Sequence, residues 1–290
     1  MTSRIVAVVS AVMLVACACN PTSWPQSSAR NPTSWPRPSA PPQQPPVVPG
    51  TVFDDFDGPA GAAPNSQLWD YDLGPYQDDG LQVYTKSPEN VRLDGQGHLV
   101  IQALRTPSGY TSARPVTRGK LSMLYGKMSA RIKFPSGQGI WPAFWMLGAG
   151  YPDTVGWPQC GEIDLMEIVN AGTEYHVTLH GPQGDTDYYG GVEKSGQVVG
   201  TSGPIADLSK DFHTYWVDWQ PNNITIGVDD ATLGHFTPWS LPPGAQWVFD
   251  RPMYALLNIA VGGDWPGPPD ASTQFPATML VDWFKYVPNA

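Results

Sequence analysis

Three carboxylates fall within six residues of an otherwise apolar run, Cys160-Gly161-Glu162-Ile163-Asp164-Leu165-Met166-Glu167-Ile168. In a β-strand, side chains alternate between faces, so Glu162 and Asp164 share one face and Ile163 takes the other. Strict alternation would send Glu167 to the face of Ile163 and Leu165, burying an unpaired acid among apolar groups, which is costly. One extra residue, a β-bulge at Leu165-Met166, returns Glu167 to the face of Glu162. The two glutamates are then four strand steps, about 13 Å, apart at Cα, and long side chains on a concave sheet can converge from that distance. Retaining glycosidic cleavage needs such a pair, one carboxylate as nucleophile and one carboxyl as acid and later base. Asp164 between them can hydrogen-bond the nucleophile and, as a like charge, keep the acid's pKa high. Two other uses exist for such a cluster. A solvated acidic edge would not alternate with Ile, Leu and Met, and a Ca²⁺ site draws on loop carbonyls.

The rest of the chain must supply the sheet. Of 290 residues, 30 are glycine and 32 proline, a composition that suits short strands joined by turns and discourages long helices. Runs such as Leu99–Ala103, Lys127–Lys133, Thr214–Trp219, Ile224–Val228 and Met279–Trp283 read as strands, several with period two, and Gly, Pro, Asn and Asp mark the joints. Residues 51–290 therefore read as one all-β sandwich. Cys160 has no disulfide partner within it. The formal charge of −10 argues against a nucleic-acid partner and is compatible with an uncharged polymer. Twelve tryptophans lean toward carbohydrate, whose apolar C–H faces stack on indole, although each is also a candidate for the core.

Residues 1–19 read as a leader: Arg4 precedes an apolar run from Ile5 to Ala18 that is too short to span a membrane with normal flanks. The run contains Leu14-Val15-Ala16-Cys17, which resembles a bacterial lipoprotein box with Cys17 as the lipidated residue. An ordinary cleaved signal is the alternative. Residues 20–50 form a Pro/Ser-rich linker with a duplicated Asn-Pro-Thr-Ser-Trp-Pro at 20–25 and 31–36, an extended spacer without a core. The expectation is a monomer outside the cell, touching a membrane only through that anchor.

Glu162-Ile163-Asp164-Leu165-Met166-Glu167 resembles the E-x-D-x-x-E motif of glycoside hydrolase family sixteen in its bulged, laminarinase-like form. Gly139–Leu147, Thr178-Leu179-His180-Gly181, Asp211–Tyr215, Leu257–Gly263 and Trp265-Pro266-Gly267 resemble further segments of that family, so the likeness covers nearly the whole domain. It implies a β-jelly roll of two curved antiparallel sheets with a substrate cleft on the concave face. It implies Glu162 as nucleophile, Glu167 as acid/base and Asp164 as their assistant, with no cofactor required for catalysis. The matching cleft positions are Asn90, Arg114, Trp141, Trp145, His180 and Trp265, with Trp157 a further platform candidate. Trp141 and Trp145, four apart, share a face if their run is a regular strand. A structural Ca²⁺ carried by some members would fall to Asp55, the Gly97 carbonyl and Asp282. The closing Trp283-Phe284-Lys285-Tyr286 departs from the usual Tyr and Arg, on the outer sheet. The activity implied is endo-cleavage of β-1,3-glucan. Mixed-linkage glucan or a galactan, transglycosylation, and carbohydrate binding without cleavage are the alternatives.

Overall fold

The computed structural model describes residues 50–75, 80–184 and 196–289. The leader, most of the linker and Cys17 lie outside the described residues. Two sheets make up the fold. The inner sheet runs β13 (Gln197–Pro204), β12 (Glu174–His180), β11 (Glu162–Glu167), β10 (Ile140–Gly148), β17 (Met253–Val261), β8 (Pro115–Val116), β2 (Asp70–Tyr71). The outer sheet runs β16 (Ala231–Phe236), β15 (Asn223–Val228), β14 (His213–Gln220), β9 (Gly126–Lys133), β18 (Ala277–Val287), β6 (Leu99–Thr106), β7 (Gly109–Ser112), β4 (Gln82–Tyr84), β3 (Gly74–Pro75). Two further strands flank it, β1 (Val52–Asp54) beside β18 and β5 (Val91–Leu93) beside β6. This is the expected jelly roll, and all five strands anticipated above form. One pairing departs from the antiparallel expectation: β4 runs parallel to β7. The antiparallel hairpin of β6 and β7 occupies the other edge of β7, so β4 enters along the remaining edge in the β7 direction.

The core lies between the sheets. The inner sheet contributes Phe144 and Met146 from β10 and Ile163, Leu165 and Met166 from β11. The outer sheet contributes Ile101, Ile132, Val217, Ile226 and Phe284. Each fully buried aliphatic or aromatic side chain is worth about 1.5–3 kcal/mol. A one-residue slip of β11 would turn its apolar residues into the cleft and its acids into the core, so burial fixes the register that aims the carboxylates. Along one side the outermost strands of the two sheets meet, where the Thr201 hydroxyl donates to the Leu233 carbonyl at 2.9 Å. Gly161, with φ +80°, makes the turn that delivers the chain into β11, a backbone conformation that favours glycine.

Candidate active site

The predicted bulge is present. Asp164 pairs with Trp145 and Met166 with Phe144, leaving Leu165 as the extra residue of β11. Ile163, Leu165 and Met166 all point into the core, and Glu162, Asp164 and Glu167 share the opposite face. On β12, His180 lies opposite Glu162, Thr178 opposite Asp164 and His176 opposite Glu167.

Each glutamate receives one indole N–H. Trp141 Nε1 donates to Glu167 Oε1 at 2.9 Å, and Trp157 Nε1 donates to Glu162 Oε2 at 3.0 Å. Trp141 is aimed by strand alternation in β10. Trp157 comes from the 149–161 loop, and its indole fits against Gly196, where a Cβ would stand 2.6 Å from the ring. His180 Nε2 lies 3.0 Å from Asp164 Oδ2 and 3.7 Å from Glu162 Oε1, and its ring contacts that of Trp157.

The charges of this group set one another. Burial would hold the His180 imidazole down, but Glu162, the hydrogen bond to Asp164 and then Glu167 outweigh it and push it up to about 10. The shift favours the imidazolium at neutral pH. The Glu167 carboxyl is pushed well above the usual carboxylate range, first by burial and then by Asp164 and Glu162. The His180 cation and the Trp141 N–H pull the other way. The balance favours the protonated form of Glu167, the form a general acid needs. Ligand atoms of Glu162, Asp164 and His180 lie within 4.8 Å of one another, a spacing a metal could bridge. The imidazolium is itself the partner of the two carboxylates, so an ion there would have to displace its proton.

The remaining expected positions divide. Trp141, Trp157, His180 and Trp265 gather around the acids. Trp265, 46% exposed, stands edge-on to Trp141 at 5.1 Å. Trp145 shares the face of Trp141 but is only 6% exposed, because the Arg114 guanidinium covers its ring at 5.3 Å and its N–H is given to Asn258 Oδ1. Trp145 is therefore floor rather than open platform. Arg114, 5% exposed, also lies 4.5 Å over the Tyr84 ring and extends that floor. Asn90, expected as a cleft position, is buried like Arg114 and Trp145. It is 2% exposed, and its amide donates to the Gln102 carbonyl and to Thr111 while accepting from Thr85, so it ties a loop to the outer sheet. The calcium positions fit in part. The Gly97 turn lies against Asp55 and Asp57, while Asp282 forms an ion pair with Arg131 at 2.6 Å, which takes up one of its oxygens.

Residues not singled out from the sequence also line this face. They are His176, Thr178, Asn258 and Tyr84. For His176 and Thr178 a signal existed: both alternate with His180 along one strand.

Known proteins resemble this chain along most of its length. The sequence model described as Glycosyl hydrolases family 16 matches residues 78–285. A beta-glucanase of Rhodothermus marinus is 38% identical over 253 residues, covering 80% of this chain and 82% of that protein. A keratan-sulfate endo-1,4-beta-galactosidase of Sphingobacterium multivorum is 34% identical over 179 residues, 62% of this chain and 40% of that protein. Among solved structures, the catalytic domain of an endo-1,3-beta-glucanase (laminarinase) from Thermotoga petrophila superposes with a TM-score of 0.71 at 34% identity, over 84% of this chain and 98% of that one. With its bulged strand and paired glutamates, this chain belongs to the glycosyl hydrolases of family 16.

Proposed function

We propose that the protein is a retaining endo-β-1,3-glucanase acting on laminarin-type chains. The observation that carries the reading is the pairing of Glu162 and Glu167 on one face of β11, with burial, Asp164 and Glu162 pushing the Glu167 carboxyl above the usual carboxylate range. Glu162 attacks the anomeric carbon as the glycosidic C–O bond breaks and Glu167 gives its proton to the departing oxygen. Esterification removes the Glu162 charge, one of the repulsions holding Glu167 up, so Glu167 becomes readier to stay ionised. It then takes a proton from water, whose oxygen displaces the Glu162 ester. His180 keeps a positive charge beside Glu162 and Asp164 and favours the anionic nucleophile. Trp157 stands at the Glu162 end of β11 and Trp141 with Trp265 at the Glu167 end, so a glucan crossing the strands passes between indole walls.

The linkage preference is supported by the bulged motif, the Rhodothermus beta-glucanase and the Thermotoga laminarinase. The Sphingobacterium galactosidase favours a second reading, cleavage of a galactan. The enzyme acts as a monomer held outside the cell by a lipid on Cys17, a reading supported by Leu14-Val15-Ala16-Cys17 and the Pro-rich spacer. A panel of laminarin, mixed-linkage glucan, strictly β-1,4 glucan and galactans, assayed for new reducing ends, tests the substrate. Rapid shortening of laminarin is expected, and cleavage of galactan alone would overturn the linkage. For the anchor, Cys17→Ser should release activity from the membrane fraction, and a wild-type enzyme already wholly in the medium would contradict it.

A further inference from the structure

Trp265 is carried on the loop after β17, and its indole makes near-perpendicular contacts with two other rings. Trp141 meets it at 5.1 Å and 82°, and His176 at 4.8 Å and 77°. These two residues come from opposite sides of β11: Trp141 from β10, and His176 from β12 directly opposite Glu167. Trp265 therefore reaches across the end of the catalytic strand. Its loop backbone is tied down where Gln138 Nε2 donates to the Pro266 carbonyl at 2.8 Å, a bond that does not set the angle of the ring. Among the described residues, these two rings are the aromatic contacts that bear on the ring angle. Trp141 is itself held by its bond to Glu167, which leaves His176 as the other buttress. Burial pushes the His176 imidazole below its ordinary value against a smaller pull from Glu174, so at neutral pH this is a contact between uncharged rings.

We propose that His176 is a positioning residue: it sets the angle of the Trp265 indole beside Glu167, and through that indole the enzyme's hold on a long polysaccharide chain. The inference rests on the reading of Trp265 as a sugar platform in the cleft. An edge-to-face ring pair is worth enough to alter binding several-fold, and its loss acts before the reacting atoms are engaged.

The test is a double-mutant cycle on the polymer that the enzyme cuts best, with KM and kcat measured separately and thermal unfolding confirming the fold. His176→Ala should raise KM about 3- to 10-fold with kcat within about two-fold. His176→Phe, which keeps a ring edge and deletes both nitrogens, should restore KM to near wild type. Trp265→Ala should raise KM at least as far as His176→Ala, and the double variant should be no worse than Trp265→Ala alone. If His176→Ala costs the same factor with or without Trp265, or if His176→Phe is as impaired as His176→Ala, His176 does not act through the indole and the inference falls. Trp265→Ala with an unchanged KM would overturn the platform reading itself, and the inference with it.

Discussion

Asp164→Asn should move the alkaline limb of the pH–rate profile to lower pH. Asparagine keeps the shape of Asp164 and an oxygen for His180 Nε2, now 3.0 Å away, while deleting the negative charge. Asp164 follows burial as a cause of the raised Glu167 pKa. Two unit charges about 4 Å apart at an effective dielectric of about 20 repel by about 4 kcal/mol, which bounds the effect from above. His180 loses one partner but still faces Glu162 and Glu167, so its cation continues to pull Glu167 down. Water entering the site trims the repulsion, and a fall of about 1–2 units is expected. Because Glu167 must be protonated to give up its proton, activity should be lost 1–2 units earlier as pH rises. The assay is kcat/KM against pH on a soluble glucan, which reports groups of the free enzyme. A rate that drops uniformly with the limb in place would refute the electrostatic role of Asp164, and an upward move would contradict its sign.

Two perturbations test the same network from other sides. Trp141→Phe keeps a ring and deletes the N–H given to Glu167 Oε1. That bond favours the carboxylate, so the alkaline limb should move up, by about 1 unit, and a downward shift would be inconsistent with it. His180 is raised from its ordinary value to about 10 in the folded protein, so its contribution to stability is complete below about pH 6.5 and is lost as pH rises toward 10. Wild-type Tm should therefore fall across that window, and the His180→Gln curve should lack this component and converge on wild type at the alkaline end. Parallel curves would mean that His180 carries no such linkage.

Much of the site was legible because β-strands have a period of two. Alternation alone placed Glu167 on the wrong face, and the bulge at Leu165 is the repair that a buried unpaired acid demands. The shared face of Trp141 and Trp145 follows from the same period. What lay hidden depends on contacts between distant segments. The burial of Trp145 needs Arg114 from another part of the inner face. Asn90 turns inward because Gln102, Thr111 and Thr85 converge on its amide. Asp282 meets Arg131 only because β18 and β9 pair with an irregularity between Val281 and Trp283. The indole donors were partly visible: Trp141 from strand parity, but the Trp157 bond depends on how the 149–161 loop folds back to Glu162. His176 was within reach, since it alternates with His180, but its meaning needs Trp265 from a loop almost ninety residues later.

The assignment of nucleophile and acid is tested most directly by azide rescue on an aryl glycoside with a good leaving group. Glu167→Ala removes a proton donor that such a leaving group hardly needs, so the glycosyl-enzyme forms and stalls for want of a base. Azide needs no base and should release it as the β-glycosyl azide. Glu162→Ala leaves a cavity in place of the nucleophile, from which azide attacks directly and gives the α-glycosyl azide. Proton NMR of the products distinguishes the anomers. β-azide from Glu167→Ala and α-azide from Glu162→Ala are the predicted results, and the reverse pairing would contradict the assignment of both glutamates.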